Sequence, residues 1–150
     1  MKIKPIKIYK KIKKMKVNEE MIKKMQNKST MGEFISKLFE SQIQTHILHL
    51  NTKSYAQHMA LNGYYTALPD LIDLITEAWQ GKYGILKGYT KTVSISETLN
   101  PVTHLTSLRD YINQARYVIC KDKVDSNIQN EIDNVITLID TTLYKLENLK

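Results

Sequence analysis

With one cysteine, three prolines, five glycines, one tryptophan and two phenylalanines in 150 residues, several kinds of protein are excluded at once. Cys120 has no partner for an internal disulfide, and its apolar setting YVIC marks it as a reduced core residue. So few prolines and glycines leave little punctuation for a β-rich chain, so helices should dominate. No apolar run approaches the eighteen or more residues that span a bilayer, and the N-terminus has lysines without the apolar segment of a secretory signal. A cytoplasmic setting is therefore expected. Gly84 to Thr90 lacks the Gly-Lys-Ser/Thr ending of a phosphate-binding loop, and no dinucleotide glycine pattern follows a strand. No nucleophile, base and orienting group can be assembled from sequence order with any specificity.

The chain holds an ordinary globular balance, 42% hydrophobic and 25% charged, at the length of one domain. Its charge is lopsided. Residues 1–28 carry eleven lysines against Glu19 and Glu20, a net +9, which leaves −2 for the other 122 residues of a chain whose total is +7. The expected organisation is a basic, flexible arm over 1–28 and a helical body over 29–150. Lys2, Lys4, Lys7, Lys10, Lys11, Lys13, Lys14 and Lys16 are the candidate nucleic-acid contacts, because clustered lysines neutralise phosphates and release counterions without sequence readout. DNA, RNA and an anionic membrane all suit such an arm. IKPIKIYKKIKKMKV also interleaves Ile, Tyr and Met with lysine, as an amphipathic surface helix does.

Four amphipathic segments follow. Phe34, Ile35, Leu38, Phe39, Ile43, Ile47 and Leu50 recur at three and four, with Ser29 or Thr30 to cap the start and Glu33 to complete a capping box. A second helix is predicted from Ser54 to Gln80, with Pro69 as a kink and Gly81 and Gly84 as stops. From Gly81 to Asn100 the chain reads as a long loop with a short extended piece at TKTVSIS. Pro101 then opens a third helix through Leu105, Leu108, Tyr111, Ile112, Ala115 and Ile119, with His104 as a helix-end residue. Ser126 and Gln129 make a capping box for the fourth, whose buried face is Ile128, Ile132, Val135, Ile136, Ile139, Leu143 and Leu146. Two helical hairpins joined by a long crossover describe an all-α, ferritin-like four-helix bundle.

Three of the four histidines fall between His46 and His58. At about 100° per residue, His58, Asn62, Asp73 and Glu77 lie within about 100° of arc, one stripe of the second helix. Imidazoles with carboxylates suit a transition metal such as iron, although Zn or Mn accept the same ligands. His58 and Asp73 are about 22 Å apart along a helix rising 1.5 Å per residue, whereas ligand atoms sit about 2 Å from a metal. One copy cannot close the site. A second copy packed antiparallel across a two-fold axis between Ala67 and Leu68 would set His58 against Glu77 and Asn62 against Asp73, with His46 entering from the first helix.

This spacing, His46, His58, position 62, Asp73 and Glu77, together with the stretch NGYYTALPDLIDLITEAWQG, resembles the ferroxidase motif of the Dps mini-ferritins over about residues 34–84. The resemblance implies a ferritin-like bundle assembled through two-fold dimers into a twelve-subunit shell. It implies Fe(II) oxidation between subunits, ferric oxide storage, and DNA binding through a lysine-rich tail. The metal ligands it implies are His46, His58, Asp73 and Glu77. Asn62 stands where the family usually has Asp, with His49, one turn from His46, as a compensating nitrogen ligand. Ile47 replaces the Trp that often follows the first histidine, and Tyr64, Tyr65 or Trp79 could supply the electron instead. The sequence also looks like small ferritin-like proteins of tailed phages, which places it in an infected host's cytoplasm or in the virion. The alternative reading, favoured by Asn62 and Pro69, is a catalytically silent bundle whose basic arm binds nucleic acid or a membrane.

Overall fold

The computed structural model describes residues 31–120 and 123–150, and their regular structure is helical, with no strand among them. Helix α1 covers 31–51 of the described residues. It is followed by α2 (Tyr55–Tyr83), α3 (Pro101–Ile119), a short 3-10 turn (Lys123–Asp125) and α4 (Ser126–Asn148). The basic arm, its lysines and the capping box at Ser29 or Thr30 lie outside the described residues.

Local chemistry explains the boundaries. Ser54 caps α2 by accepting from the Gln57 N–H, and Gly84, at φ 82°, ends it in a backbone region that side chains disfavour. The helix thus outruns its predicted end at Gln80, because Gly81 is carried inside it. Pro69 also lies within α2 and does not end it. Its ring removes one N–H from the ladder, so the carbonyl of Tyr65 loses its helical donor while the buried flanks of α2 hold the turn. Asn100 caps α3 by accepting from the Thr103 N–H at 3.0 Å, with Pro101 in the first turn. The capping box expected at Ser126 and Gln129 does not form. Asp125 occupies the N-cap without a side-chain bond, and Gln129 instead accepts from Arg116 Nε at 2.8 Å and donates to the carbonyls of Arg116 and Cys120.

Side-chain contacts give the topology. Ser41 of α1 bonds both Tyr64 of α2 and His104 of α3, and Phe34 stacks on Tyr111, so α1 lies antiparallel to both neighbours. Arg116 meets Gln129 and Arg109 meets Asp140, which sets α3 antiparallel to α4. Lys82, at the end of α2, reaches Asn127 at the start of α4, and those two helices also pack together. The order is up, down, down, up. Residues 84–100 must therefore travel the length of the bundle, and they do so as a strap along α1. Thr90 N–H donates to Ser36 Oγ at 2.8 Å, Ser94 N–H to Glu40, and Ser96 exchanges two bonds with the Gln44 amide at 2.7 and 2.8 Å. Helical spacing of 36, 40 and 44 supplies three anchors on one face. A Cβ on Gly32 would come within 2.6 Å of the Gly88 backbone, so glycine is required there for the strap to lie down.

The core joins Phe34 and Leu38 of α1, Leu68, Ile72 and Ile75 of α2, Leu105 and Ile112 of α3, and Ile128, Ile132 and Ile139 of α4. Cys120 is buried beside it, and burial pushes its thiol up to about 12, so it stays unionised. α1 departs from the predicted pattern. Its inward stripe is Met31, Phe34, Leu38, Ser41, Thr45 and Leu48, while Phe39, Ile43 and Leu50 form a second stripe that stays exposed.

Candidate metal centre

The tight connection from α1 to α2 places the histidines. Thr52 N–H closes the last turn of α1 on the Leu48 carbonyl at 3.1 Å, and the Ser54 cap starts α2 two residues later. Thr52 Oγ1 also bonds the Gln57 side chain across the turn. The result is that His49 and His58 stack, ring centroids 3.6 Å apart and planes 24° from parallel. Each ring also bonds the other's main chain: His49 Nδ1 meets the His58 carbonyl at 2.8 Å, and His58 Nδ1 meets the His49 carbonyl at 3.0 Å. A carbonyl can only accept, so Nδ1 carries a proton in both rings, and the tautomer that fits this bonding has its lone pair on Nε2. Neither Nε2 has a hydrogen-bond partner among the described residues. His49 is buried and His58 half-buried.

His46 stands one turn earlier, stacked on Tyr65 with centroids 4.0 Å apart and planes within 7°. Its ring lies 6.0 Å from that of His49. Tyr65 donates its hydroxyl to Asn62 Oδ1 at 3.1 Å, which ties the carboxamide into the same edge. Four of the sequence-predicted ligands, His46, His49, His58 and Asn62, are thus gathered where α1 meets α2. Asp73 and Glu77 are not among them. Both are exposed on α2, four to five turns further on. Among the described residues no group of three or more His, Cys, Asp or Glu side chains could hold a metal ion within one copy. Of the three aromatic candidates for electron supply, Tyr64 and Trp79 are buried in the core and Tyr65 touches the histidine edge.

One buried polar cluster had been missed in the sequence. Ser41 Oγ lies 2.9 Å from Tyr64 Oη and 2.9 Å from His104 Nε2. Tyr64 is fully buried and has no other acceptor, so its hydroxyl donates to Ser41, which in turn donates to His104. Burial lowers the His104 imidazole to about 4, and Lys37 adds to that, so Nε2 is free to accept. The signal available in sequence was the position of Ser41, in step with Phe34, Leu38, Thr45 and Leu48 on the inward stripe. A hydroxyl there requires a partner.

A family model described as "Family of unknown function (DUF5856)" matches residues 49–146. The chain belongs to that family. The DUF5856 match includes His49, His58, Asn62, Asp73 and Glu77 and begins after His46. A relative, the "Uncharacterized 14.6 kDa protein in mobD-ri intergenic region" of Enterobacteria phage T4, is 28% identical over 118 residues, covering 79% of this chain and 88% of the relative. No solved structure matches. Among the described residues no helix is long and apolar enough to cross a membrane.

Proposed function

We propose that the protein is a mini-ferritin of the Dps type, a ferritin-like bundle that oxidises Fe(II) at sites shared between two copies and holds DNA through its basic arm. The observation that carries this reading is the reciprocal His49–His58 pair. Ligating histidines commonly donate their second ring nitrogen to a backbone carbonyl, which fixes the tautomer and aims the other nitrogen at the metal. Both rings have that arrangement, which leaves Nε2 as the nitrogen available to a metal in each. The up, down, down, up order with its single crossover adds support, since it is the connection pattern of ferritin-like folds.

In the dimer, α2 packs head to tail on its twin about an axis between Ala67 and Leu68. Gly63, whose Cβ position is open, and exposed Ala67 let the backbones approach. His58 then faces Glu77 of the partner subunit, and Asn62 faces Asp73 of the partner subunit. The exposed α1 stripe of Phe39, Ile43 and Leu50 supplies apolar surface on the same hairpin for copies to cover. Fe(II) is the substrate. Imidazole nitrogens of one chain and carboxylates of the other bind it, and a peroxide is the oxidant. Two Fe(II) ions each lose one electron, the peroxide O–O bond breaks, and its oxygens leave as water or oxide. The Fe(III) formed is neutralised by hydrolysis, which releases protons to solvent, and ferric oxide collects in the shell. Asn62 brings no negative charge to this balance, so turnover is expected to be slow.

A second reading, a silent bundle with a nucleic-acid-binding or membrane-binding arm, is favoured by Asn62 and by Pro69 lying beside the proposed axis. Anaerobic loading with Fe(II) followed by peroxide separates the two. Ferric-oxo absorbance well above a His58→Ala control is expected for the mini-ferritin, and absorbance equal to that control would leave the silent bundle.

A further inference from the structure

The two ends of the bundle differ in their exposed side chains. The end where α1 begins also receives the last turn of α2, the start of the strap and the α3–α4 connection. Among the described residues it holds Lys82, Lys87, Lys91, Arg116 and Lys123, with Glu33, Asp125 and Asp133 among the carboxylates beside them. Asp125 is buried and already engaged by Lys82 and Tyr83. Arg116 is held by Asp133 and Gln129, whereas Lys87, Lys91 and Lys123 are exposed and have no ion-pair partner among the described residues. Tyr117 is 70% exposed at this end and Tyr89 is 43% exposed. The opposite end holds Lys53, Lys145 and Lys150 balanced in part by Glu97 and Glu147.

We infer that this end of the bundle is a binding platform for single-stranded nucleic acid, with Tyr89 and Tyr117 stacking on bases and Lys87, Lys91 and Lys123 meeting the phosphates. Exposed aromatic rings set among unpaired cations are what sequence-tolerant single-strand binding uses, because every base has a π-face and every nucleotide a phosphate. The backbone on either side of Tyr89 is fixed. Tyr89 follows Gly88, which lies against Gly32, and precedes Thr90, whose N–H is bonded to Ser36. Tyr117 has the Arg116 guanidinium 5.8 Å from its ring centroid. A membrane fits less well, since the exposed apolar side chains here are Tyr, Ile and Val, without the Trp, Phe or Leu that commonly anchor an interfacial surface.

The inference rests on the nucleic-acid part of the proposed function and not on the iron chemistry. Its test uses the full chain, a labelled oligothymidylate, and fluorescence anisotropy across a salt series. Tyr89→Ala and Tyr117→Ala are each expected to weaken binding about fivefold or more. Replacing Lys87, Lys91 and Lys123 by Gln is expected to flatten the slope of log affinity against log salt by about 2. Matching thermal melts verify folding, as all five side chains are on the surface. A further variant has the eight arm lysines from Lys2 to Lys16 changed to Gln. If it still loses affinity on Tyr117→Ala, the platform acts in its own right even where the arm proves dispensable. Tyrosine variants that bind like the parent overturn the platform and leave the arm's role intact. Binding to phosphatidylserine vesicles with none to the oligonucleotide overturns both.

Discussion

The two hairpins of the bundle use their interiors differently. α3–α4 buries an apolar ladder of Leu105, Leu108, Ile112, Ile128, Ile132 and Ile139, with two polar exceptions: Asp125, engaged by Lys82 and Tyr83 at the start of α4, and Thr142, whose hydroxyl returns to the Leu138 carbonyl. α1–α2 buries Ser36, Ser41, Gln44, Thr45 and His49, all on α1. Each of these polar groups has a specific partner: Ser36 and Gln44 hold the strap, Ser41 links Tyr64 to His104, Thr45 returns to its own helix, and His49 locks onto His58. One hairpin is thus a packing unit. The other buys its geometry with directed bonds, which fix positions to within tenths of an ångström where apolar contacts would tolerate sliding.

This contrast can be broken most severely from the apolar side. Ile132→Ala, at a fully buried site, is expected to cost about 2–5 kcal/mol. Urea unfolding followed by tryptophan fluorescence should show the midpoint falling with the slope unchanged, since Trp79 on the other hairpin shares the same core. Gly32→Ala is expected to cost about 1–3 kcal/mol through overpacking against Gly88. Its distinguishing sign is local, faster amide exchange at Thr90, Ser94 and Ser96 with α3–α4 still protected. Unchanged exchange there would mean the strap is held otherwise.

Ser41→Ala leaves Tyr64 without an acceptor and is expected to cost about 1–3 kcal/mol. The double variant Ser41→Ala/Tyr64→Phe should cost less than the two single changes together, because it removes both partners. The same cluster sets a pH dependence. His104 falls to about 4 in the folded chain against an ordinary 6.5, so between those values the unfolded chain binds more protons. Its contribution is complete above pH 6.5 and is lost as pH falls through about 4. His104→Asn should flatten that part of a stability profile, and an NMR titration of the imidazole should show a midpoint well below 6. Arg109→Ala, which breaks the exposed pair with Asp140, should change stability by less than about 1 kcal/mol.

How much could be read in advance follows from the same contrast. The α3–α4 hairpin was legible because repeats at three and four, Pro101 and Asn100 each have one dominant structural meaning. The capping box at Ser126 failed because Gln129 had a stronger use, closing the α3–α4 connection through Arg116. On α1 the apolar pattern named one stripe where there are two. Polar residues complete the inward stripe, so Phe39 and Ile43 were free to face outward. The histidine edge was visible as a cluster, yet nothing in the spacing showed that His49 and His58 would fix each other's tautomers. That depends on a three-residue turn whose closure is a tertiary event.

The sharing of ligands between copies is tested most directly by complementation. His58→Ala and Glu77→Ala chains are each expected to lose peroxide-dependent Fe(II) oxidation. Refolded together, they should regain part of it, because a mixed dimer carries one site with His58 of one chain and Glu77 of the other intact. A mixture as silent as its components, or single variants as active as the parent, would contradict the account.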